Sequence, residues 1–161
     1  MSNTLAPDVR GVLEVYLRCI EDMIVDIQHL DAVALSTIRD AETEDEDCRS
    51  IASLLAHVVC SGHGYIVSLR RASGEKVDYP VRRLRDTPMS YIADLRGMHE
   101  AAVRFFEQRE MRSLLEMEEL RSVTVPSGRV YDVEQLMEHA IVHVLRHQRQ
   151  LRRFLATDDA R

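Results

Sequence analysis

The side chains best equipped for chemistry are histidines, and spacing separates a few of the seven from the rest. His139, His143 and His147 stand four residues apart in a segment with helical periodicity. A step of four in an α-helix turns only about 40°, so successive members nearly stack. With Ala140 as the centre of a helical wheel, Val133, Leu136, Met137, Val144, Leu151, Phe154 and Leu155 all fall within about 60°. His147 lies about 20° from that centre, His143 about 60°, and His139 about 100° away at the edge. His143 and His147 are therefore an inward-facing i,i+4 pair, the spacing that can grip one metal ion. The competing reading is structural: two buried neutral imidazoles, each needing a partner at a cost of about 1–3 kcal/mol per unmade hydrogen bond.

His57 favours the metal. Its stripe on a second helical segment consists of Ser50, Ser53, Ser61, Gly64 and Ser68, all within about 40° of it. A solvated face would carry Arg and Glu; this one carries small residues that leave room beside an imidazole. Close helix packing also uses small residues, but a rim facing the His143/His147 stripe explains the histidine as well. Three His with a fourth position open is the arrangement of a catalytic zinc site. Imidazole-only ligation suits Zn, Ni, Fe or Cu, and Zn or Ni is the expectation here. Cys60, one turn after His57, could approach the same place, although a buried free thiol commonly acts as a small hydrophobe. His63 falls about 120° from His57, towards solvent or a loop. His29 and His99 have no partner at ligand spacing, and Glu138 and Asp132 are candidates for orienting an imidazole.

Four amphipathic segments must position these groups. The first covers residues 7–38, with Pro7 in the first turn and a break expected near His29-Leu30-Asp31. The acidic run 40–47 has no apolar period and reads as a solvated loop, its charge suited to the N-terminus of the helix that follows. The second segment, 50–71, carries no charge from Ser50 to Leu69, which predicts burial on more than one face. Residues 77–81 read as an extended connection. Thr87-Pro88 opens the third helix as N-cap and first-turn proline, with a core stripe of Tyr91, Ile92, Leu95, Met98, Ala102, Phe105 and Phe106. Residues 107–121 read either as its extension or as a short extra helix. Val123 to Tyr131 predicts two short β pieces about Pro126-Ser127-Gly128. Asp132 and Gln135 form a capping-box start for the last helix. The expected fold is all-α: a four-helix bundle with a short β-like excursion before its last helix.

The 161 residues, charge of −6 and sequence pI of about 5.6 bound the rest. The length suits one domain spanning 1–161. There is no basic footprint for nucleic acid. No run reaches about 18 apolar residues, so no membrane span is expected. The N-terminal residues show no signal-peptide pattern. Three cysteines without C-x-x-C spacing speak against a disulfide framework or zinc ribbon, leaving a reducing cytoplasm as the expected location. No P-loop, G-x-G-x-x-G or G-x-S-x-G is present, so nucleotide binding and a serine-hydrolase elbow have no support.

Three stretches carry a family resemblance. Ser50-Ile51-Ala52-Ser53-Leu54-Leu55-Ala56-His57-Val58-Val59 resembles the helix-two opening of the DinB-like (YfiT-like) superfamily of small four-helix proteins. The loop from Val123 to Gly128 is similar to the family's, and residues 139–150 resemble its last-helix motif. That motif ends His147-Gln148-Arg149-Gln150 here, where members often read His-Arg-Gly-Gln. The resemblance implies an up-down-down-up bundle holding a divalent metal on His57, His143 and His147. It also implies an enzyme of the thiol-S-transferase kind, or a related lyase or hydrolase, joining a small-molecule thiol to an electrophile. The alternative is a non-catalytic metal-binding or stress-response bundle, and a third reading has no metal at all. The uncharged second helix adds the expectation of a homodimer.

Overall fold

The computed structural model describes residues 5–109, 113–114 and 117–156. Four long helices carry the chain: α1 (Pro7–Ile27), α3 (Ile51–Ala72), α4 (Pro88–Glu107) and α5 (Val133–Ala156), with a short α2 (Ala32–Ser36) after the first. α1 starts on Pro7, whose missing N–H costs nothing in a first turn. The break expected near residues 29–31 is present, and the Asp31 carboxylate restarts the helix by accepting the Ala34 N–H at 2.7 Å. The third segment starts as the sequence predicts, with Thr87 accepting the Ser90 N–H at 3.2 Å. Asp132 and Gln135 form their reciprocal capping box at the head of α5.

The small sheet is β1 (Val123–Thr124) paired antiparallel to β2 (Val130–Tyr131), with Val123 opposite Tyr131. Gly128 turns the hairpin at φ 80°, a left-handed conformation that favours glycine. Of the ambiguous stretch 107–121, residues 118–120 form one 3-10 turn, and residues 110–112 and 115–116 lie outside the described residues.

The long helices pack as neighbours in a ring, α1 on α5, α5 on α3, α3 on α4 and α4 on α1. Their inward faces form one core that includes Leu13, Tyr16, Met23, Leu54, Tyr91, Phe106, Leu136 and Leu151. The predicted stripe of α4 is buried throughout, from Tyr91 to Phe106. At the head of α3 and α4, the buried Tyr91 hydroxyl donates to the Ala52 carbonyl at 2.9 Å. Midway, Gly62 lets the two helices close in: a Cβ there would sit 1.8 Å from the Met98 Sδ.

α3 is long and apolar enough to cross a membrane by composition, with a window mean hydropathy of 1.4. Counting unbroken apolar runs misses this, because serine, glycine and histidine interrupt the run without adding charge. Within the fold, no residue from 51 to 70 is exposed. The 73–87 connection helps cover it: Tyr79 hydrogen-bonds Ser68 at 3.1 Å, and the Cys60 thiol donates to the Pro80 carbonyl at 3.4 Å.

Candidate metal centre

His57 projects from the second turn of α3, a helix whose start is fixed by a Ser50/Ser53 capping box. His143 and His147 project from successive turns of α5. One ligand-capable atom from each of the three lies within 4.8 Å of the other two. The ring centroids are 5.0 Å apart for His57–His143, 4.9 Å for His57–His147 and 4.5 Å for His143–His147. Nitrogens bound tetrahedrally at about 2.0–2.1 Å stand roughly 3.4 Å from one another. The His57 Nε2–His143 Nε2 separation of 3.0 Å is close to that spacing.

Two of the three rings have their tautomer set from behind. His57 Nδ1 lies 2.9 Å from Asp47 Oδ2, so the Nδ1–H donates to the carboxylate and the Nε2 lone pair faces His143. His147 Nδ1 lies 3.2 Å from Gln150 Oε1, which can only accept, leaving Nε2 as the lone-pair nitrogen. A carboxylate or amide holding the far nitrogen of an imidazole is the usual support of a ligating histidine. His143 adapts between them: without an ion its Nε2–H can donate to His57, and the other neutral tautomer turns a third lone pair inward.

All three rings are held neutral. Burial, followed by the neighbouring histidines, pushes His143 down to about 3. Burial first and His57 second push His147 down to about 4. His57 is also lowered, chiefly by burial. Arg82 pairs with the other oxygen of Asp47, so the carboxylate is already compensated and does not force a proton onto His57. Neutral imidazoles with convergent lone pairs are the donor set a divalent ion needs, and the residues present fit one.

Asp47 is the residue that sequence reasoning missed. It sits at the end of the run read as a solvated loop, among five other acidic residues. What selects it is long-range closure: the Arg39 N–H donates to the Arg49 carbonyl at 2.8 Å, and Ile38 bridges Ser50. That pins the loop's exit against α3. Asp45 then caps the 3-10 turn 46–48 and places Asp47 over His57. Gln150 was visible only as part of a motif; its Oε1 also lies 3.6 Å from the Cys48 thiol.

The other candidates go elsewhere. Cys60 turns away to Pro80 and is no member of the cluster. Asp132 caps α5, and Glu138 is exposed. His63 faces the loop at Pro80 and Val81. His99 is buried beside Tyr16, with ring centroids 6.3 Å apart, and His29 is exposed. His139 stacks on Tyr131 at 5.2 Å and meets the edge of Tyr65 at 5.5 Å. Tyr65 in turn touches His143, with centroids 5.8 Å apart.

Beside this ladder opens a cleft of about 390 Å³, with Ser61 and Gly64 of the small-residue stripe on its wall. The stripe therefore has two uses: Ser50 and Ser53 cap α3, while Ser61 and Gly64 make space.

No family model, curated protein or solved structure matches the chain.

Proposed function

We propose that this chain is a divalent-metal protein of the DinB-like kind, with His57, His143 and His147 as ligands and Zn or Ni as the ion. The observation that carries the reading is the convergence of three neutral imidazoles, two of them oriented from behind by Asp47 and Gln150. When bound, such an ion supplies a Lewis acid that lowers the pKa of a thiol or water at its open position. The protein's own part is to hold the three lone pairs together and keep the rings unprotonated. Tyr65 and His139 touch His143 on one side and line the cleft on the other, so they join the triad to it.

The up-down-down-up order is supported by which ends meet. Tyr91 and Ala52 join the heads of α4 and α3, and Arg109 and Glu75 pair beyond their tails. Asp26, late in α1, takes hydrogen bonds from Gln148 and Arg152, late in α5. Glu21 of α1 pairs with Arg96, while Asp8 at its head accepts from Leu114, beyond the end of α4. These pairings run α3 with α4, α1 with α5, and α1 against α4.

The activity we assign is thiol-S-transfer, or a related lyase or hydrolase reaction, between a small thiol and an electrophile in the cytoplasm. Three free cysteines are in keeping with that compartment. A screen of cellular thiols against a chromogenic electrophile, with and without added metal, tests it. Metal-dependent turnover lost in His143→Ala is expected. Metal binding with no turnover on any thiol would instead leave a non-catalytic bundle. α3 no longer calls for a homodimer, since its own chain covers it; a dimer would use another surface, and Val142 and Leu145 of α5 are exposed. Sedimentation equilibrium giving an 18.5 kDa species would exclude one.

A further inference from the structure

The cleft beside the histidines has walls of one chemical character. Tyr65 and His139 form its inner side, Tyr131 and Pro126 come from the hairpin, and Tyr79 and Pro80 from the 73–87 connection. Four of these six carry flat rings, and at about 390 Å³ the cleft falls within the size range of small-molecule sites. The chain as a whole is acidic, with 27 Asp and Glu against 21 Lys and Arg. The cleft reverses that sign: among the described residues, Arg129 is the only charged side chain on its walls, and no carboxylate lines it. An adjoining recess shares Tyr79, Val125 and Pro126, and among the described residues its only charged wall residue is Arg71.

The backbone of Arg129 is fixed, while its side chain is exposed and unspent. Its backbone carbonyl accepts the Val125 N–H at 3.0 Å and closes the hairpin turn. Among the described residues its guanidinium has no ion pair and no hydrogen bond. An unpaired guanidinium at the mouth of an apolar, aromatic cleft is a site for an oxygen acid, because its planar fork matches a carboxylate or phosphate through two parallel N–H bonds.

We propose that this cleft is the ligand pocket of the triad, and that it takes a small molecule with one flat apolar body and one anionic oxygen-acid group. The body lies among Tyr65, Tyr131 and Pro126, and the anion meets Arg129. That the pocket serves the triad rests on the metal reading above; that it binds such an anion does not.

The test uses three probes of one shape: 2-naphthoate, 2-naphthyl phosphate and the neutral 2-naphthylmethanol. Each is titrated calorimetrically into the full chain, once with EDTA and once with zinc. Both anions, or one of them, should bind at least about tenfold more tightly than the alcohol. Which anion wins identifies the acid group. Arg129→Gln should remove that advantage and leave the alcohol unchanged. Gly64→Leu should block all three probes: a Cβ at Gly64 meets nothing within 4 Å, so the side chain fills space without a backbone clash. Unchanged circular dichroism in both variants keeps the comparison on binding. Equal binding of anions and alcohol, or an anion preference that survives Arg129→Gln, would overturn the proposal. The EDTA series separates the two readings. Anion binding without uptake of zinc, or of nickel in a parallel titration, sinks the metal centre and spares the pocket, while uptake of either ion without anion binding does the reverse.

Discussion

His143 is the member of the triad with most at stake, since it is half-buried between two other imidazoles and its tautomer alone is free to change. Two predictions belong at this scale. Asp47 touches His57 from the side away from the site, so Asp47→Asn should keep the fold and weaken metal affinity about 10–100-fold. Competition against a chromophoric chelator measures it, and unchanged affinity would show that the contact orients nothing. The second concerns acid. His143 at about 3 and His147 at about 4 are depressed below the ordinary 6.5 of an unfolded chain. Between 6.5 and those values the unfolded chain holds more protons than the folded one, so their stabilising effect is complete above pH 6.5 and lost as pH falls through about 4 for His147 and about 3 for His143. The metal-free protein should therefore lose urea resistance between pH 7 and 4.5 more steeply than a His143→Asn/His147→Asn variant. Parallel losses would contradict the neutral-cluster account.

At the scale of elements, most of the layout was legible because local rules decided it. Pro7, Asp31, Thr87 and the Asp132/Gln135 pair start their helices where their side-chain chemistry places them. The i,i+4 spacing put His143 and His147 on one face, and the small-residue stripe aimed His57 at them. Gln150 stands at i,i+3 to His147 on α5, a local spacing. Asp47 instead acts through a contact that no local period encodes, and the same holds for the segment covering α3. Its uncharged surface announced that something covers it but not that the chain's own 73–87 connection does. The α3–α4 contact offers a test. Gly62→Ala would drive a Cβ into Met98, whose side chain is fully buried and must move. A loss of roughly 1–3 kcal/mol is expected in urea unfolding. A neutral or stabilising effect, as helix propensity alone would give, would mean that Met98 has room to move and the contact is not close.

On the scale of the whole molecule, the fold sets two helices with different tasks side by side. α5 carries a histidine on each of three successive turns, and α3 supplies the third inward imidazole together with the open wall of the cleft. The hairpin and the 73–87 connection close that cleft from outside, bringing Arg129 and Tyr79 opposite the walls that α3 and α5 supply. Metal, if held, also ties α3 to α5. An ion at 100 times its dissociation constant would add about 2.7 kcal/mol to stability. The most direct measurement is a calorimetric titration of Zn(II) and Ni(II) into EDTA-stripped, tag-free protein, beside the His143→Ala variant. The account predicts one site per chain for at least one of these ions in the natural sequence and its loss in the variant. No uptake of either ion, or uptake undiminished by His143→Ala, would contradict it.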